Sequence, residues 1–178
     1  MWARALDAAG KPERIRVERF HPPTDRGLDI DVVQDFMLHD LDCVRRYLPG
    51  DLTSLEATGR RVANDRLDEA QVRLVLAGGV RVELAASRVH AEKRRRVEIE
   101  GTSGQVVGDL LAGTIQRVEG EPITASASSS GLAEPLDRQL ADFLDACVGR
   151  TRPENDGAEG VASLELVDRV RDAIGQGA

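Results

Sequence analysis

Asp35 and His39 stand four residues apart in a stretch whose apolar residues recur at helical spacing, which puts the two side chains on one face, about 5 to 6 Å apart at Cβ. A carboxylate beside an imidazole favours the protonated ring and fixes its orientation. An imidazole held in that way can exchange a proton with a hydroxyl near neutral pH. The same spacing also suits an exposed structural pair, so the residues by themselves leave both readings open. His39 and Asp40 further make a His-Asp dipeptide of the kind used by metal-dependent phosphohydrolases. A metal needs three or more convergent ligands. The other histidines, His21 beside two prolines and His90 at an expected strand end, have no metal-type spacing, so no metal is expected. Cys43 lies next to the apolar stripe with no base in its neighbourhood, and no Gly-x-Ser-x-Gly occurs, which leaves nucleophilic catalysis without support.

The elements that must position this pair can be read from periodicity. Asp31 is placed to cap a helix over residues 31–48, ended by Pro49 and Gly50. Its expected buried stripe is Val33, Phe36, Met37, Leu41, Val44, Tyr47 and Leu48, with Asp35, His39 and Asp42 off it. Before it, residues 15–20 alternate as a half-buried strand does. From residue 52 to 118 the period becomes two, with Val72, Leu74, Leu76 and then Val80, Val82, Leu84 set against Arg73, Arg81 and Glu83. Gly78 and Gly79 predict a tight hairpin turn, residues 101–104 a second turn, and residues 106–111 and 114–118 further strands. Residues 125–131, with four serines, read as a loop. Pro135 then opens a helix carrying Leu136, Leu140, Phe143, Leu144, Cys147 and Val148. Asp156 and Glu159 have capping-box spacing at the start of a last helix through Val161, Leu164, Val167, Val170 and Ile174.

Strand, helix, a block of strands and two helices make an α+β layout, expected as a mainly antiparallel open sheet of about six strands with helices packed on one face. Residues 1–9 could form a short helical turn, too brief to bury a face on its own. Residues 1–14 are therefore read as a leader or the remnant of a preceding element, and residues 15–178 as one domain. No Gly-x-Gly-x-x-Gly follows a strand, so a dinucleotide pyrophosphate has no expected seat.

Composition narrows the partners. The chain has 178 residues, 41% of them hydrophobic, a formal net charge of -7 and a pI near 5.1, a field that repels nucleic acid and anionic membrane surfaces. Lys93, Arg94, Arg95 and Arg96 form a local basic run that a strand would split between two faces, either as a solvated sheet edge or as a contact for an anionic ligand. Cys43 and Cys147, far apart in helical patterns, suit reduced core thiols and a cytoplasmic protein. No stretch has the length of a membrane span or the form of a signal peptide. A sheet covered on one side would leave a second apolar face wanting a partner, so a homo-oligomer through the sheet is expected.

The segment running from Asp31 through Asp35 and His39 to Asp42 resembles the opening of the C-terminal domain of the Gfo/Idh/MocA oxidoreductase family. The resemblance continues through Gly79, Ser87-Arg88, Glu92-Lys93-Arg94-Arg95-Arg96, Ile99-Glu100-Gly101, Glu134-Pro135-Leu136, Phe143 and Pro153. It implies a two-domain enzyme in which a Rossmann domain binds NAD or NADP and a domain like this one shapes a sugar site and builds the oligomer. By that similarity His39 would move a proton to or from a sugar hydroxyl and Asp35 would orient it. Within the family, the Ser-Arg and Glu-Lys-x-Arg segments look most like members that oxidise the 3-hydroxyl of UDP-N-acetylglucosamine-type sugars. Arg19, Arg88 and Lys93 are then the candidates for meeting a diphosphate or uronate.

The family's Glu-Lys-Pro motif, which supplies a catalytic lysine from the Rossmann domain, is not matched, since Glu92-Lys93 is followed by arginine. The expected function is thus the substrate-binding half of an NAD(P)-dependent sugar or nucleotide-sugar oxidoreductase, with a Rossmann domain supplied elsewhere and little activity from this chain alone. The alternative is a non-catalytic sugar-binding or oligomerisation module.

Overall fold

Alternating apolar residues produce seven strands among the residues described, which are 1–25, 27, 29–119, 135–153 and 155–176 of a computed structural model. They are β1 (Pro12–Phe20), β2 (Leu52–Arg60), β3 (Glu69–Leu76), β4 (Arg81–Ser87), β5 (Arg94–Gly101), β6 (Gly104–Asp109) and β7 (Thr114–Arg117). One sheet takes them in the order β2-β3-β4-β1-β5-β6-β7. All its pairings are antiparallel except that of β1 with β4. The mainly antiparallel α+β sheet is therefore as expected, with one strand more than about six. The strand least visible in the sequence is β2, whose inward positions are Leu55, Ala57 and Gly59 and whose outward positions are polar, as suits an edge. Gly78 and Gly79 both have positive φ, 93° and 86°, and make the hairpin turn between β3 and β4.

Ile15, Val17, Val72, Leu74, Val82, Leu84, Val97, Ile99 and Val106 point to one face, where they form the core. That face receives α1 (Trp2–Ala9), α2 (Leu38–Tyr47) and α4 (Gly157–Gln176). The N-terminal residues, expected to be too few to bury a face, do bury one, with Trp2, Ala5 and Ala9 against β5 and β6. Asp156 caps α4 through its Oδ1, which accepts from the N–H groups of Ala158 at 3.0 Å and Glu159 at 3.1 Å. The side chain of Glu159 does not complete a capping box, and instead pairs with Arg45 of α2.

Two expectations are corrected. The helix α3 (Pro135–Cys147) starts at its proline, but Leu140, Phe143, Leu144 and the following Val148 are each more than half exposed, and Cys147 is exposed rather than a core thiol. The serine-rich stretch 125–131 lies outside the described residues. The uncovered face of the sheet is not apolar. Along it Arg14 and Arg16 share Glu83, Arg94 meets Glu18, Arg96 meets Glu98 and Arg73 meets Glu56. Outward positions that alternate with a Val- and Ile-rich inner set are free to be charged, and cross-strand pairing of opposite charges makes them compatible.

Candidate functional site

The helix that carries Asp35 and His39 begins at Asp31, whose Oδ1 accepts from the N–H groups of Val33 and Gln34, both at 3.0 Å. Arg171 of α4 donates from Nε to the other oxygen of Asp31 at 2.7 Å, so this cap is also an anchor between two helices. Beyond the cap the helix is not uniform. Val33–Met37 is a π turn, closed by the Leu38 N–H bonding the carbonyl of Val33, and α2 continues from it. The wider turn lets Val33, Met37 and Leu41, at successive spacings of four, all face the core. Asp40 also faces inward, Phe36 is half-buried and Tyr47 is in solvent, where the expected stripe places Phe36 and Tyr47 in the core.

Asp35 lies within the π turn and is half-buried, and His39 is exposed one turn on. The two occupy the same flank of the helix. Among the described residues no side-chain hydrogen bond or ion pair joins them to each other or to a third group. Gly27 approaches Asp35 so closely that a Cβ built on it would stand 3.0 Å from Oδ2, and its φ of 69° is one that glycine alone adopts freely. Beside Asp35, the ring of Phe36 meets that of His21 edge-on at 6.3 Å between centroids. His21 donates from Nδ1 to the Pro22 carbonyl at 2.7 Å, and that bond fixes its tautomer.

The arginines expected to meet substrate are drawn to this region but are held by the fold. Arg19, from β1, grips Asp40 with two hydrogen bonds of 2.7 and 2.6 Å, its side chain 12% exposed and that of Asp40 3%. Asp40 therefore faces the sheet while His39 faces out, so the His-Asp dipeptide does not converge on a metal. Among the described residues no three His, Cys, Asp or Glu side chains cluster as metal ligands would.

Arg88 is buried and bonds Asp68 at 2.8 Å, the carbonyls of Gly27 and Ile30 at 2.8 and 2.7 Å, and Asn64 at 3.3 Å. It thereby ties down the segment that brings Gly27 against Asp35. Burial pushes the Asp68 carboxyl up, but the N–H groups of Ala63 and Val62 together with Arg88 outweigh it and hold the group down at about 2. Lys93 is exposed just ahead of β5. The basic run splits as its alternation predicts, Arg94 and Arg96 facing outward and Arg95 inward with Val97 and Ile99. Cys43, half-buried, has its thiol pushed up to about 12, first by burial and then by Asp40 and Asp42, so it stays protonated and is no nucleophile. A cavity of about 240 Å³ on the open face of the sheet is lined by Phe20, Arg60, Glu69, Ser87 and His90 among others, and neither Asp35 nor His39 is part of its wall.

The fold has counterparts in known proteins. The pattern of the GFO/IDH/MocA C-terminal domain matches residues 8–107. A UDP-N-acetylglucosamine 3-dehydrogenase of Acidithiobacillus ferrooxidans is 30% identical over 93% of this chain and 55% of its own length. A solved structure of the dehydrogenase from that organism superimposes with a TM-score of 0.83 at 29% identity, covering 97% of this chain and 56% of the other. The WlbA dehydrogenase of Bordetella pertussis, solved with NADH and UDP-GlcNAcA, gives a TM-score of 0.79 at 18% identity over 99% of this chain and 59% of its own, a likeness of fold. The chain thus spans a little over half the length of these relatives.

The described residues do not themselves fit a dinucleotide. Their glycine turns between β3 and β4 and between β5 and β6 join antiparallel strands, and neither leads into a helix whose N-terminus could take a pyrophosphate. Among the described residues no helix is long and apolar enough to cross a membrane.

Proposed function

The chain belongs to the GFO/IDH/MocA C-terminal domain family, and from that premise we propose that it forms the substrate-binding half of an NAD(P)-dependent oxidoreductase acting on a nucleotide sugar. NAD or NADP would be held by a Rossmann domain supplied elsewhere, and residues 15–178 would form the domain that shapes the sugar site. The observation that carries the reading is the open flank of the helix, where His39 is exposed and Asp35, one turn earlier, lies under the close backbone of Gly27. His39 exchanges a proton with the sugar hydroxyl. Asp35 steers the ring once substrate closes the flank, because the two residues share one flank of the helix and neither side chain is committed to another described group. Arg19 and Arg88 act as positioning residues, the first by fixing the turn of α2 next to His39 and the second by holding Gly27 in place.

The test combines the chain with a Rossmann-domain partner, NAD, and UDP-N-acetylglucosamine, and follows the absorbance of reduced nicotinamide. Turnover that disappears in His39→Ala and falls in Asp35→Asn supports the proposal. Binding of the sugar with no turnover under any pairing would favour the non-catalytic module. Self-association through the open sheet face would run on its ion pairs, so sedimentation should show an oligomer that weakens as salt is raised. Two free cysteines suit a cytoplasmic setting.

A further inference from the structure

Arg95 is the one inward-facing member of the basic run, and its position is unusual. In the antiparallel pairing of β1 with β5 it lies directly opposite Arg19, both on the face that carries the helices. Like charges in directly opposed positions destabilise a sheet unless something neutralises them. Asp40 hydrogen-bonds Arg19 alone, with both of its oxygens taken by the Nε and Nη2 of that guanidinium, and reaches Arg95 only as a nearby charge that one carboxylate divides between two guanidiniums. Arg95 is half-buried, and among the described residues no carboxylate or carbonyl accepts from its side chain. The cluster of Arg19, Asp40 and Arg95 therefore keeps one uncompensated positive charge. It sits partly out of water, beneath the turn of α2 in which His39 immediately precedes Asp40.

The other inward-facing charges at these strand ends are matched. Arg88 has Asp68, and Asp31 has Arg171. Among the described residues the other inward-facing charges are paired by hydrogen bonds while this half-buried guanidinium has no acceptor, which leaves a place for an anion from outside. Burial and the neighbouring charge of Arg19 lower the pKa of Arg95, with Asp40 working the other way, as expected of a cation held in a site short of negative charge.

We infer that Arg95 is the anchor of an oxyanion subsite next to His39, taking the phosphate or carboxylate of the sugar substrate in a two-pronged hydrogen bond. The guanidinium fork matches either group. Lys93, exposed two residues earlier, adds a screened charge at the entrance. This deepens the proposed function by naming which arginine meets the anion, and it rests on that reading for the identity of the sugar.

The experiment titrates the intact chain, without any cofactor partner, with inorganic pyrophosphate, UDP and glucuronate, and repeats each titration with Arg95→Gln and Arg95→Lys. Expected is saturable binding of pyrophosphate and UDP or of glucuronate, weakened at least tenfold in Arg95→Gln and only partly kept in Arg95→Lys. Which arm binds tells phosphate from carboxylate. In parallel, the melting temperature of Arg95→Gln should be unchanged or higher, because removing an uncompensated charge beside Arg19 relieves the fold, whereas Arg19→Gln should melt lower. Equal affinity of wild type and Arg95→Gln, or no binding of any of these anions, overturns the subsite. A melting temperature that falls as far as in Arg19→Gln would assign Arg95 to the fold instead. Since these readouts need no turnover, they stand or fall separately from the role of His39.

Discussion

On the open face of the sheet Glu83 is shared by Arg14 and Arg16, and its neighbours Glu18, Glu98 and Glu56 each have an arginine within 4 Å, all of them at least partly in water. On the covered face the charges are few and lie at the strand ends, and each of Arg19 and Arg88 is locked to one carboxylate that is almost wholly buried. The chemical groups are the same on both sides. What differs is the cost of separating them. Exposed pairs exchange one hydration for another and contribute little, while a buried carboxylate that loses its guanidinium is left charged in a poor solvent. A covered-face charge therefore reports either on the scaffold or on a ligand, and an open-face charge reports on neither.

That contrast can be broken first at Arg88. Arg88→Ala should lower unfolding stability by about 3 to 5 kcal/mol, read from urea denaturation. A loss below about 1 kcal/mol would place Arg88 with the surface pairs. Next in size is the acid limb. The folded Asp68 sits at about 2 against an ordinary 3.8, so its contribution is complete above the ordinary value and is lost as pH falls toward 2. The unfolding free energy should drop over that window by roughly 2 to 3 kcal/mol on account of this group. The drop should be smaller in Arg88→Ala, whose Asp68 has lost part of what depresses it. On the open face, Glu83→Gln should cost no more than about 1 kcal/mol, and less still at high salt. Smallest is His39→Ala, expected to move stability by no more than about 0.5 kcal/mol, since the side chain is exposed and supports nothing else. A large change there would mean that the histidine is structural.

Much of the scaffold is legible in local signals. Asp31 and Asp156 cap the helices whose starts they mark in the sequence, and the two glycines at 78 and 79 turn where the alternation of β3 and β4 requires. These succeed because a cap or a two-residue turn is decided within a few residues. The fates of Arg19 and Arg88 are not decided locally. Their carboxylates lie 21 and 20 residues away in the chain, and only the assembled sheet brings them together.

The charged open face escapes sequence reasoning for a related reason. Period two says that one side of a strand is polar, whereas the oligomer is expected from an apolar second face that Arg14, Arg16, Arg73 and Glu83 contradict. The sequence does hold a clue to Arg95. Counting back by two from Ile99 and Val97 puts it on the inner side, where an arginine calls for a partner.

The π turn at Val33–Met37 amounts to a helix carrying one residue too many, an insertion absorbed by widening one turn instead of by a bulging loop. Excising one residue, Gln34 for instance, would return the rod to regular pitch. Everything before the cut would then swing about its axis relative to Leu41 and Val44, and Asp31 would leave the reach of Arg171, while Asp35 and His39, both beyond the cut, kept their spacing of four. The surplus residue thus sets the angular phase between the anchor and the acid.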